Sequence, residues 1–341
     1  MIVNAYAIVA GVLVVIRLPI AILVLGLALR ACRQPRTSAE TQRRDDRYYL
    51  LVLSATLLLG LNLLAWPVFY ALLQSYVSQW PGVMCIYGVT QIGQGSQGLS
   101  RFLPSLLYAL QVAKPLVVFA SGAWFMLYLT NRSLQKSELM PRTLALMMLF
   151  ALISAGDAAL EGAYLLTPKS EQFLDVGCCA AALDVSQTTE RFVPSGLLAE
   201  SDRSWVKLAY YVLNAGLPLG LLACHFRISR NWLVFPLLVA LVSLPVNWLY
   251  LVDIAAPAIL RLPYHHCPYD LLPEAPETVI GMALFLFGVF AVGWAWLVDR
   301  FGRVAAEVDN GTPQLRQRLL FLAAFGFLSS LVLFTIEVAL A

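Results

Sequence analysis

Eight apolar stretches, each about as long as a bilayer is thick, recur along the chain and constrain its fold more than any other feature. They cover about 5–30, 48–74, 104–130, 142–165, 205–227, 232–256, 276–299 and 318–340. A helix needs about 20 predominantly apolar residues to cross a hydrocarbon core of roughly 30 Å. Composition agrees, with 60% hydrophobic residues, 13% charged residues and a mean hydropathy of +0.75. Soluble domains are roughly half apolar and a quarter charged. The expectation is an all-α polytopic membrane protein, a single membrane-embedded helical bundle over 1–341 that meets the lipid bilayer on its outside. No polar stretch is longer than roughly forty residues, which leaves no room for a self-folding catalytic domain outside the membrane. Long basic or acidic runs are missing as well, which argues against nucleic acid as a partner.

The connections alternate in charge, and the alternation predicts an orientation. Arg30, Arg33, Arg36, Arg43, Arg44 and Arg47 follow the first stretch, and Arg132, Lys136 and Arg142 follow the third. Arg227 and Arg230 separate the fifth from the sixth, and Arg300, Arg303, Arg316 and Arg318 separate the seventh from the eighth. The loops 75–103, 166–204 and 257–275 are longer and poor in lysine and arginine, and they carry Asp175, Asp184, Glu190, Glu200 and Asp202. Basic loops stay in the cytoplasm, so both termini are expected on the non-cytoplasmic side. The N-terminal segment fits a reversed anchor rather than a signal peptide, because its arginines follow the apolar run instead of preceding it. A bacterial inner membrane is the expected location, with the three long loops facing the periplasm.

That orientation sorts the cysteines. Cys85, Cys178, Cys179 and Cys267 all fall in the three outer loops, and His265 and His266 adjoin Cys267 in the stretch YHHCPYD. An oxidising compartment favours structural disulfides there. Bonds from the adjacent Cys178–Cys179 pair to Cys85 and Cys267 would tie the three loops together. Two working alternatives stand beside that one. Thiolates with imidazoles make a ligand set for copper or zinc, and an exposed thiol of depressed pKa exchanges electrons with disulfides. The chain has no CxxC, no CxxCH for covalent haem c and no HExxH. His225, at the inner end of the fifth stretch, has no second membrane histidine with which to share a haem.

GQGSQG at 93–98 matches GxGxxG through Gly93, Gly95 and Gly98. A dinucleotide site needs a preceding strand and a βαβ unit, whereas here apolar helices stand on both sides, so no nucleotide motif is assigned. The glycines and the apolar residues Ile86, Tyr87, Val89, Ile92, Leu99 and Phe102 instead predict a loop packed on the bundle, with positive φ where glycine permits it.

Ionisable groups inside the bilayer are expensive and point to function or to mutual pairing. Arg17 lies near the middle of the first stretch, Lys114 lies within the third, and Asp157 and Glu161 are four apart on one face of the fourth. Asp253 and Glu337 stand near the outer ends of the sixth and eighth. Two accounts compete for these six residues: buried ion pairs that fix helix register, or a polar, water-reachable pocket opening outward. Pro19 and Pro115 follow the two bases closely, so carbonyls freed by the prolines could accept from them. The inner half of the membrane has few polar groups, which weighs against a permease. The functional expectation is redox or soft-metal handling at the periplasmic face, by thiol–disulfide or quinone-linked electron transfer, within a larger assembly of membrane or periplasmic electron-transfer subunits. A small-solute or metal permease and a structural subunit with disulfide-stapled loops are the rival readings.

Overall fold

The computed structural model describes residues 4–33, 41–80, 83, 85–93, 96–133, 139–169, 200–226, 233–261, 266–302 and 311–341. Among these the chain is helical throughout, and eight helices are long and apolar enough to cross a membrane. The expected spans and the observed helices differ by only a few residues at most ends. It is a multi-pass membrane protein.

Two compact units emerge, residues 1–174 with 301–309 and residues 175–300 with 310–341. The first holds α1 (Ala5–Arg33), α2 (Thr41–Val77), the short α3 (Ile86–Thr90), α4 (Leu103–Ser133) and α5 (Met140–Leu166). Within it α5 packs along both α1 and α4, and α1 packs along α2. Lipid is as apolar as a leucine side chain, so close packing drives this association and small residues mark the contacts. Ala21, Ala28, Ala55, Ala120 and Ala151 accordingly line the core. Trp124 fills its centre, with ring centroids 5.9 Å from both Tyr128 and Phe150.

The loop between α2 and α4 confirms most of what its composition predicts. Ile86, Tyr87, Val89 and Ile92 are buried, whereas Leu99 and Phe102 are exposed. Gly93 and Gly98 both adopt positive φ, at 91° and 76°. A Cβ on Gly93 would sit 2.1 Å from the Ser100 carbonyl oxygen, so glycine is required there by sterics as well as by φ.

The second unit holds α6 (Glu200–Phe226), α7 (Val234–Tyr250), α8 (Ala256–Ile259), α9 (Leu271–Glu274), α10 (Pro276–Gly302) and α11 (Gly311–Leu340). A π turn, Leu251–Ala255, joins α7 to α8 without ending the span. Phe334 lies over Gly281 and Phe327 over Gly288, where added Cβ atoms would meet ring carbons at 3.0 and 3.1 Å. Both pairs are seven residues apart on their helices, so antiparallel α10 and α11 interlock ring into glycine at one heptad spacing. Gly326 brings the backbones closer still, since a Cβ there would lie 2.8 Å from the Leu284 carbonyl oxygen.

Candidate functional site

The first unit gathers its intramembrane charges into one cluster. Arg17 on α1 donates from Nη1 to Asp157 Oδ2 at 2.9 Å and to Asn62 Oδ1 at 3.2 Å, and from Nη2 to Glu161 Oε2. Lys114 on α4 donates from Nζ to the same two carboxylate oxygens, at 3.0 Å to Asp157 and 2.6 Å to Glu161. Each base therefore meets both acids, and positive and negative groups alternate around a closed ring. Two carboxylates on adjacent turns of α5 repel one another. The two bridging bases reverse that repulsion.

All four long helices of the unit contribute to the cluster, because α2 supplies Asn62. Its Nδ2 donates to Ser154 Oγ on α5 at 2.9 Å, and its Oδ1 is held toward Arg17. Phe69, also on α2, places its ring 5.4 Å from Lys114 Nζ, where the π face favours a cation. The four charged residues are 0–2% exposed. The pocket expected to open outward is instead sealed in protein. The bases do not use the carbonyls that Pro19 and Pro115 could free for them. Carboxylates and an amide take the bases instead, since a charged acceptor makes the stronger hydrogen bond. Arg17 Nε, Asp157 Oδ1 and Glu161 Oε1 have no hydrogen-bond partner among the described residues. Each acid thus serves both bases through one oxygen and keeps the other in reserve.

Beyond the end of α5, Lys169 is half-buried against aromatic rings. Its Nζ donates to the Tyr164 carbonyl at 3.1 Å and sits 4.5 Å from the Tyr164 ring and 5.6 Å from that of Tyr76. Burial lowers its pKa to about 8, because desolvation disfavours the ammonium form. Its sequence setting, a lone lysine in a polar loop, carries no signal of this.

Asp253 and Glu337, the other two expected pocket residues, belong to the second unit. Asp253 is buried on the π turn, with Oδ1 3.6 Å from His266 Nδ1. The same nitrogen lies 3.1 Å from the Val252 carbonyl oxygen. That is hydrogen-bond distance, so the backbone carbonyl is the ring's direct partner and the carboxylate is the looser one. Glu337 is half-buried near the end of α11. A further ion pair, Arg316 Nη1 to Asp299 Oδ1 at 2.9 Å, escapes sequence reading, because both residues look like ordinary loop-flanking charges.

The expected cysteine–histidine site is described only in part. Cys178, Cys179 and His265 lie outside the described residues. Cys85 is buried in the first unit and Cys267 in the second, and no cysteine takes part in a disulfide among the described residues. Within the second unit the Cys267 sulfur lies within 4.8 Å of a carboxylate oxygen of half-buried Asp270. Copper or zinc would find there one thiolate and one carboxylate, a partial set for either metal.

Comparison with protein families, with curated proteins and with solved structures finds no match to the chain.

Proposed function

We propose that the chain is a structural subunit of a membrane assembly, in which the Arg17–Lys114–Asp157–Glu161 quartet, joined by Asn62 of α2, clamps the four long helices of the first unit in register. Closure of the quartet carries the reading: its charges are balanced, each base serves both acids, and none is more than 2% exposed. A permease built on these charges would have to bring them to water in turn. A quinone or ion site would need room beside them. Buried ionic networks of this kind specify one arrangement of helices more than they add net stability. On this reading both termini face the non-cytoplasmic side of a bacterial inner membrane, and the partners are other membrane or periplasmic subunits, electron-transfer proteins among them. Reporter fusions at each connection test the orientation.

The clamp is tested by charge removal, singly and in pairs. Glu161→Gln alone leaves two bases against one acid, whereas Lys114→Met with Glu161→Gln leaves a neutral Arg17–Asp157 pair. The clamp predicts that the single variant unfolds far more easily in mild detergent and that the paired variant recovers much of the loss. A single variant as stable as the parent would sink it.

A second reading keeps soft-metal or thiol chemistry at the outer loops, and the closeness of Cys267 to Asp270 favours it. Cys85, Cys178, Cys179, Cys267, His265 and His266 are its candidate ligands. Thiol labelling in native membranes, before and after a chelator, separates it from stapling. Thiols that become reactive only after chelation support a metal, and thiols that need a reductant support disulfides.

A further inference from the structure

The second unit carries an open groove of about 700 Å³, lined by Arg203 and Lys207 of α6, Asp253 of the π turn, Pro257 and Ala258 of α8, and Arg261 just beyond it. Three cations share this groove with two carboxylates, that of Asp253 and the terminal one of Ala341, so a net positive charge remains. The Asp253 carboxylate lies 3.6 Å from His266 Nδ1, and the Arg203 guanidinium is an opposite charge acting on it. Arg203 Nε is buried without a hydrogen-bond partner among the described residues, so the guanidinium has a donor to spare. The groove wall between the cations is apolar, made by Ile254, Pro257 and Ala258.

Depth decides what such a groove meets. Arg203 and Lys207 sit in the first turns of one span, Asp202–Ala223, and Arg261 lies two residues past the end of another, Val234–Ile259. That level is the headgroup layer, where cations meet lipid phosphates.

Two backbone irregularities point the same way. Arg261 has φ 55°, the one positive φ outside glycine among the described residues. It stands just after α8, where a chain reversal usually takes glycine. Holding a long cation in that conformation costs energy, and strain of this kind collects at ligand sites. The π turn at Leu251–Ala255 is the other, and such turns also cluster at functional positions. It carries Asp253, which lines the same groove.

We infer that this groove binds a phosphate-bearing anion at the membrane interface, with Arg203, Lys207 and Arg261 as the cationic contacts and the Pro257–Ala258 wall against the hydrocarbon that follows the headgroup. The inference is independent of the quartet and survives if the clamp reading fails.

The test uses the full chain purified in detergent. Binding of phosphatidylglycerol and of phosphatidylcholine is compared by native mass spectrometry, and inorganic phosphate is tested separately by thermal shift. Wild type is expected to retain phosphatidylglycerol over phosphatidylcholine, and Arg203→Gln with Lys207→Gln is expected to cut that preference about tenfold. Protection by inorganic phosphate alone identifies a soluble anion as the occupant, and selective lipid retention alone identifies the headgroup. Should the double glutamine variant fail to fold, Arg203→Lys with Arg261→Lys, which keeps the charge, is expected to retain binding. Equal retention of both lipids, together with no response to phosphate, overturns the proposal. So does a glutamine variant that folds and binds as wild type does.

Discussion

The two units meet the same cost, polar groups in a membrane protein, in opposite ways. The first draws its charges to mid-membrane, seals them and neutralises them pairwise on regular helices. The second holds amides within its spans, with Asn214 Nδ2 donating to the Tyr210 carbonyl at 2.9 Å and to Asn247 Oδ1 at 3.3 Å. Its charges stand toward helix ends, on a π turn and a left-handed residue, where four charged side chains line an open groove. Sealed charge specifies structure, because breaking one partner strands the other. Charge at an open, irregular edge stays available to a ligand. Mid-membrane depth, then, is a weaker guide to a working site than access is.

The largest effect that separates the units is expected from Arg17→Met. Two buried carboxylates four residues apart would be left with Lys114 alone, and loss of one partner from a buried pair costs about 3–5 kcal/mol. Unfolding in a graded denaturing detergent series measures it. Lys207→Met in the second unit, an exposed residue, is expected to change stability by about 0.5 kcal/mol or less. Equal losses in the two variants would erase the contrast.

Next in size are the close approaches. Gly326→Leu drives a side chain against the Leu284 carbonyl, where even a Cβ would stand at 2.8 Å, and overpacking of that kind costs about 1–3 kcal/mol. Gly93→Ala combines a φ of 91° with a 2.1 Å clash and is expected to free the α2–α4 loop. Faster protease cleavage within 81–102, with the melting temperature of the helices little changed, is the outcome to look for.

Arg261→Gly is expected to go the other way. Glycine adopts φ 55° without the penalty of a side chain, so the variant gains roughly 1 kcal/mol while losing anion binding. A gain in stability coupled to a loss of ligand would mark the strained arginine as kept for binding. Loss of stability would show that its donation to the Leu340 carbonyl, at 3.5 Å, outweighs the strain.

The smallest effect is a pH dependence at the loop above the first unit. Burial lowers the Lys169 pKa from 10.5 to about 8, so the unfolded chain holds this proton more tightly than the folded one. Between about pH 8 and 10.5 the unfolded state binds more protons, and this residue's contribution to stability rises with pH across that window. Wild type should gain a few degrees relative to Lys169→Met between pH 8 and 10, read as the difference in melting temperature. A flat difference would mean that the amine reaches water.

Length and hydropathy alone determined the eight spans, because the bilayer imposes its thickness on any helix that crosses it and boundary errors change nothing in the count. The spacing of Asp157 and Glu161 put them on one face, and Gly93 and Gly98 announced positive φ, since both follow from local geometry. Only the tertiary structure decided that Arg17 and Lys114 each meet both acids and that Asn62 and Ser154 complete the cluster. Rotation of each helix about its own axis sets those meetings. In a soluble helix the contrast between an apolar stripe and a polar face reveals that rotation, and the contrast fades when lipid and core are equally apolar. Whether a charge is sealed or open was decided there too, because closure depends on all four neighbours at once and no single segment encodes it.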